Sequence, residues 1–203
     1  MSLVKLDIPA PEKLRRGWSA LAAVYAARGW DRDVYATPDE WFYHDGGGNW
    51  VCLRFRGEGQ AILIGHDHEY SETYFGDGAT YFQEEETNLL ECAPEWWSFN
   101  LNPKPFGEWI GFVYGWDGEK WERACYDIQD GFESVGLLEA CSFNSTELLK
   151  VMASDAPGLN GKAPSEEALD ALIAGENVTY DLLEAVVPGW NIEAGVSAAN
   201  KFT

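Results

Sequence analysis

Two glycine-rich breaks, DGGGN at 45–49 and GEG at 57–59, cut a run of β-forming residues into EWFYH, WVCLRFR and QAILIGH. Short glycine turns between alternating apolar runs join neighbouring antiparallel strands. The spacing therefore predicts a three-stranded meander over 40–66. A second pair of aromatic-rich runs, EWIGFVYGW and WERACYD, flanks Asp117-Gly118. That dipeptide is the strongest hairpin signal in the chain.

Helical periodicity brackets these strands. Leu14, Trp18, Leu21 and Tyr25 recur on one helical face between Pro11, suited to a first turn, and Gly29, suited to a stop. Beyond residue 144 the composition turns helical. Asn144 and Glu147 have capping-box spacing, and Ser165 and Thr179 are placed as N-caps before EEALDALIAG and YDLLEAVV. Between meander and hairpin, ATYFQ reads as a short strand, and EEETNLLECAPEWW as a short helix ended by Pro94. NLNPKPFG reads as a loop. The fold class expected is α+β: an antiparallel sheet, meander plus hairpin, with an N-terminal helix packed on it and C-terminal helices. Residues 1–155 are expected to form the sheet domain, and 156–203 a helical extension packed on it.

The chain has 203 residues, 46% of them hydrophobic, enough to bury a core without staples. Ten are tryptophans, more than a core of this size easily hides, so some are expected at a groove or interface. The net charge of −20 is not confined to a tail. From Gly57 to Pro103 there are ten acids and no Lys or Arg. Such a field repels nucleic acid and anionic membranes and attracts basic proteins and cations. No apolar run is long enough to span a bilayer, and MSLVKLDIPAPEKLRRGW lacks the apolar core of a signal peptide. The four cysteines show no paired spacing, and Cys52 and Cys125 lie in strand-like runs. They are expected to be buried, reduced thiols in a cytoplasmic protein.

Three groups of residues are candidates for chemistry or recognition. His44, His66 and His68 are the only histidines. On an extended strand the HDH triplet puts His66 and His68 on one side, a way to present two imidazoles to a divalent metal. Asp45, Asp67 or Glu72 would add oxygen ligands. In a meander His44 would lie across the middle strand from His66, about 10 Å away, too far for shared ligation unless the sheet curls. The acidic stretch after His66 lacks the alternating ligands of an EF-hand. The Gly46–Gly48 run joins strand to strand, so it reads as a turn rather than a phosphate cradle. No nucleophile motif is present. The second group is Glu84, Glu85 and Glu86, an acidic surface. The third is the Trp96-Trp97 pair, of which at least one ring is expected to leave the core.

The reading these residues support is a non-enzymatic protein-binding module that docks a basic protein partner, with no cofactor, nucleic acid or membrane involved. In size, acidity and lack of a catalytic signature the chain resembles the small acidic immunity proteins that neutralise bacterial toxins. That resemblance is compositional and carries no motif. Two alternatives stand beside it: a metal-dependent hydrolase using His44, His66 and His68, and a carbohydrate- or small-ligand-binding module with a Trp-lined face that includes Trp109, Trp116 and Trp121.

Overall fold

The computed structural model describes residues 2–101, 109–141 and 146–202. Strand β1 (Val4–Leu6) leads into helix α1 (Pro11–Arg28), then β2 (Val34–Ala36), β3 (Glu40–His44), β4 (Trp50–Gly57) and β5 (Gln60–His66). Helix α2 (Asp77–Phe82) follows, then β6 (Phe112–Trp116) and β7 (Trp121–Arg123). Helices α3 (Leu137–Cys141), α4 (Thr146–Ala153), α5 (Glu166–Ala174), α6 (Tyr180–Val186) and α7 (Ile192–Ala199) complete the described chain. The strands form one sheet in the order β1-β7-β6-β5-β4-β3-β2, and α1 packs against β2. The fold is α+β, as the turn and periodicity signals predict. Among the described residues no helix is long and apolar enough to cross a membrane.

Contacts divide the chain into two compact units, Met1–Ala10 with Tyr43–Gly136, and Pro11–Phe42 with Leu137–Thr203. In the first unit, β4, β5 and β6 pair antiparallel, with Leu53 opposite Leu63 and Leu63 opposite Tyr114. Alternation along β4 defines two faces, and both are buried: Trp50, Val51, Cys52, Leu53 and Arg54 are each nearly inaccessible. A strand covered on both sides needs no polar face, which is why WVCL is unbroken by charge. Arg54 donates from Nη1 to the Asn100 carbonyl, so its charge is hydrogen-bonded where it is buried. The β6–β7 turn is closed by Asp117, whose Oδ1 accepts from the N–H groups of Glu119 and Lys120, both at 2.9 Å. Gly118 there has φ 103°, a region open to glycine.

In the second unit α1 is buried around nearly its whole circumference from Gly17 to Ala27. One amphipathic face is the expectation from the large residues. The LAAVYAA run widens it, because small side chains let neighbours approach from several directions. Helix α7 uses that room: a Cβ on Gly195 would fall 2.6 Å from the Ala23 carbonyl oxygen and 3.2 Å from the Ala27 Cβ. Trp18, Trp41 and Phe202 form an aromatic group with centroids 5.4–6.5 Å apart, and Trp18 Nε1 donates to the Phe42 carbonyl at 3.1 Å. Ser165 and Thr179 cap α5 and α6 as expected, and Asn191 caps α7. Asn144 and most of the NLNPKPFG loop lie outside the described residues.

Two local expectations are corrected. ATYFQ is not a strand: Ala79–Phe82 belong to α2, and Gln83 ends it in the left-handed region. Its Thr and aromatic residues favour strands, but short apolar runs are ambiguous between the two states. Close packing decides, since a Cβ on Gly78 would stand 2.4 Å from the Trp109 Cβ. Pro94 does not end a helix. It precedes a 3-10 turn, Glu95–Ser98, and the NLLEC stretch forms turns. Proline lacks an N–H to donate, which suits it to the start of a turn rather than its interior.

That 3-10 turn drives Trp97 against the sheet. An added Cβ at Gly115 would fall 2.1 Å from the Trp97 indole. Replacement Gly115→Ala is expected to force the ring out and destabilise the protein by about 2–3 kcal/mol, as overpacking does. Urea unfolding monitored by fluorescence checks this; a midpoint unchanged from wild type would refute the packing account.

Candidate functional site

The segment after β5 begins with a turn, not with more strand. β5 ends at His66, and Asp67 Oδ1 accepts from the N–H groups of Glu69 and Tyr70, both at 2.8 Å. An aspartate bonding its own backbone two and three residues on makes an Asx turn, which competes with extended structure. The HDH triplet therefore does not lie along one strand face. His66 is fully buried, while His68 is exposed and packs over Gly48, its N–H donating to Asn49 Oδ1 at 2.7 Å. His44 is half-buried, and its Nδ1 accepts from the Gly46 N–H at 3.0 Å. Asp45 is taken up by its own turn, accepting from Gly47 and Asn49. Among the described residues no three His, Cys, Asp or Glu side chains converge as a metal ligand set.

The turn is held by a second polar group. Asp67 N–H donates to Ser71 Oγ at 2.8 Å, and that hydroxyl donates to the Asp130 carbonyl at 2.7 Å. Asp130 Oδ2 in turn accepts from the phenols of Tyr114 and Tyr126, both at 2.7 Å. Burial pushes both phenols well above their ordinary pKa, and the adjacent Asp130 carboxylate pushes them further. They stay protonated donors, so this network fastens the 124–132 loop to β6.

Aromatic rings connect the buried histidine to the surface. Trp50 meets His66 edge-on at 5.7 Å, and His66 stacks on Trp109 at 4.4 Å. Trp109 stacks on Tyr74 at 5.6 Å and meets Phe82 edge-to-face at 4.7 Å. Phe82 meets Tyr81 at 4.9 Å. Trp109 Nε1 donates to the Thr73 carbonyl at 3.1 Å, which fixes the indole that all three outer rings depend on. The ladder ends in water: Phe82 is 42% exposed and Tyr81 80%.

The acidic run lies beside that end. Residues 74–87 close on themselves, with Thr87 N–H donating to the Tyr74 carbonyl at 2.8 Å and Tyr74 N–H to Thr87 Oγ1 at 3.4 Å. After Gln83 the chain turns back along α2. Glu84 N–H donates to the Ala79 carbonyl at 3.0 Å, and Glu86 Oε1 accepts from the Gly76 N–H at 3.1 Å. This is a compact Ω-type loop, packed by its own side chains. Eight of the ten acids between 57 and 103 are exposed, Glu84, Glu85 and Glu86 among them.

The Trp96-Trp97 pair divides. Trp97 is core, packed on Gly115, while Trp96 is half-buried with the Arg56 guanidinium 6.0 Å over its ring. Trp97 is thus withdrawn from any docking surface, because the 3-10 turn alternates its two indoles between sheet and rim. Trp116 and Trp121 of the hairpin are also core, and Trp109 is the half-buried hub of the ladder. Cys125, expected inside a strand, is exposed beyond the end of β7; Cys92 is exposed and Cys52 buried. The sequence reading missed Tyr81 and Phe82. The available signal was two adjacent aromatics one residue before three glutamates, a combination poorly suited to a buried strand.

Burial holds the His66 imidazole down at about 4 from an ordinary 6.5; the neighbouring His68 adds to that, and Asp67 and the Trp109 backbone oppose it. Above pH 6.5 both native and unfolded chains carry neutral His66. As pH falls below 6.5 the unfolded chain takes up a proton that the native state refuses until about pH 4. Stability is therefore lost on acidification across that window, by about 3 kcal/mol from this one group. Urea titrations at pH 7 and pH 4.5 on wild type and His66→Phe check this. The wild type is expected to lose more, and an equal loss in the two proteins would refute it.

In comparisons with known proteins, the chain matches no family model, no curated protein and no solved structure.

Proposed function

We propose that the protein is a non-enzymatic binding module that docks a basic protein through the 74–87 loop and the acidic surface around it. The observation that carries this reading is the pairing of Tyr81 and Phe82, exposed on α2, with the exposed Glu84–Glu86 folded back along the same helix. Aromatic anchors supply much of the energy of protein interfaces, and a one-sign rim steers the partner in. Tyr81 and Phe82 are exposed side by side, and adjacent exposed rings are the kind of apolar patch that contact surfaces use. The ladder behind Phe82 holds the anchors in place before binding, which lowers the ordering cost of association. The cytosol is the proposed compartment, since Cys92 and Cys125 are exposed and would remain reduced there. The likeness in charge and size to immunity proteins fits this mode, neutralising a basic partner by covering it.

The experiment is affinity capture at low salt with wild type and with Glu84→Lys/Glu85→Lys/Glu86→Lys as bait, followed by stopped-flow association of the captured protein. A basic protein held by wild type alone is expected. Its association rate should fall with added salt, and charge reversal should slow it about tenfold and flatten that dependence. A partner that associates equally fast with both baits would defeat the proposal.

A further inference from the structure

We infer that a groove between the start of α6 and one face of α7 binds short peptides that have free termini and an aromatic side chain. The groove has a volume of about 510 Å³ and is lined by Tyr180, Glu193, Val196, Ser197, Asn200 and Lys201. That volume falls within the range of small-ligand sites. Counted from Glu193, the lining positions on α7 and just past it are i, i+3, i+4, i+7 and i+8, which share one helical face. Tyr180, the first residue of α6, completes the lining. The groove is preformed. A Cβ on Gly195 would stand 2.4 Å from Leu183 Cδ2, so α7 lies tight against α6. Thr179 caps α6 immediately before Tyr180, and Phe202 is buried immediately after Lys201, whose own N–H donates to the Ala198 carbonyl at 3.2 Å. Backbone fixed before binding lowers the ordering cost of association.

The two ends of the groove carry opposite charge. Glu193 sits at the start of α7 and Lys201 just past its end, about 12 Å apart along the axis. Neither has an ion-pair partner among the described residues. An extended tripeptide with free ends carries an ammonium and a carboxylate about 10 Å apart, which matches that spacing. The ammonium meets Glu193 and the carboxylate meets Lys201. Between them the Ser197 hydroxyl and the Asn200 amide make no side-chain hydrogen bond among the described residues, and each can bond a peptide N–H or carbonyl. Val196 and the Lys201 methylenes supply apolar contact. The Tyr180 ring is 53% exposed and has no aromatic contact among the described residues, so a ligand ring can pack on it. A simple anion would engage Lys201 and be repelled by Glu193, and a simple cation the reverse. Only a ligand charged at both ends uses both.

NMR titration of the isotope-labelled full chain with Ala-Phe-Ala tests this, at about 0.15 M salt so that general attraction to the acidic surface is screened. Saturable shifts are expected at residues 180 and 193–201, with peptide at about 1–10 mM. Acetylating the amine or amidating the carboxylate should each weaken binding about threefold, the size of one exposed ion pair. Glu193→Gln should erase the penalty of acetylation and Lys201→Gln that of amidation, while Tyr180→Ala should remove the advantage of Ala-Phe-Ala over Ala-Ala-Ala. All three changes are at exposed side chains, and spectra unchanged elsewhere establish that the variants fold. Absence of shifts at these residues, or blocked peptides that bind as tightly as the free one, would overturn the peptide site. The site shares no residue with the 74–87 loop, so acidic docking stands or falls separately.

Discussion

The stack of Trp109 on His66 is the contact on which the 74–87 loop depends. His66 is the last residue of β5 and belongs to the core; Trp109 carries Tyr74 and Phe82, and through Phe82 the exposed Tyr81. Remove the stack and the 74–87 loop loses its apolar floor. The loop's backbone pairing would remain, most of it binding the loop to itself and one bridge pairing Phe75 with Ile110 ahead of β6. The rings supply its apolar contact with the sheet. Each ring contact contributes about 0.5–1.5 kcal/mol beyond its burial, so the chain of four amounts to a sizeable fraction of the margin by which small domains are stable.

A neutral imidazole suits this position. It is flat enough to stack and small enough to fit beside Gly111, where an added Cβ would come within 3.0 Å of the His66 Cβ. Burial keeps it uncharged at neutral pH, so the stack is ring on ring rather than ion on ring. His66, one of the three histidines considered as metal ligands, packs ring on ring with Trp50 and Trp109. The reason is local: Asp67 starts a turn, and the two imidazoles of HDH part company, one inward and one to water.

The acids need a different account from the aromatics. Their excess keeps the surface hydrated and gives the segment a field of one sign. Geometry comes from the Ω-type loop, which lays Glu84–Glu86 along α2 instead of leaving them on a free strand. The same loop explains why Tyr81 and Phe82 are tolerated at the surface. Phe82 is held by Trp109, and Tyr81, the more exposed of the two, carries a hydroxyl that water can satisfy.

The sequence by itself determined the framework. Glycine-punctuated β-runs placed β3, β4 and β5 at their observed positions, Asp117-Gly118 placed the second hairpin, and Pro11 and Gly29 bounded α1, because each signal acts within a few residues of itself. The acidic character of 57–103 was equally legible, since charge does not depend on folding. Tertiary structure decided the rest. It made ATYF a helix because Gly78 packs on Trp109, residues far apart in the chain. It buried Trp97 and left Trp96 at the rim, because only contact with Gly115 distinguishes two adjacent indoles. It divided the histidines, which share a motif but not an environment. It also assembled the aromatic ladder from residues 50, 66, 74, 82 and 109. No local periodicity joins those positions; the sheet register and the loop closure bring them together.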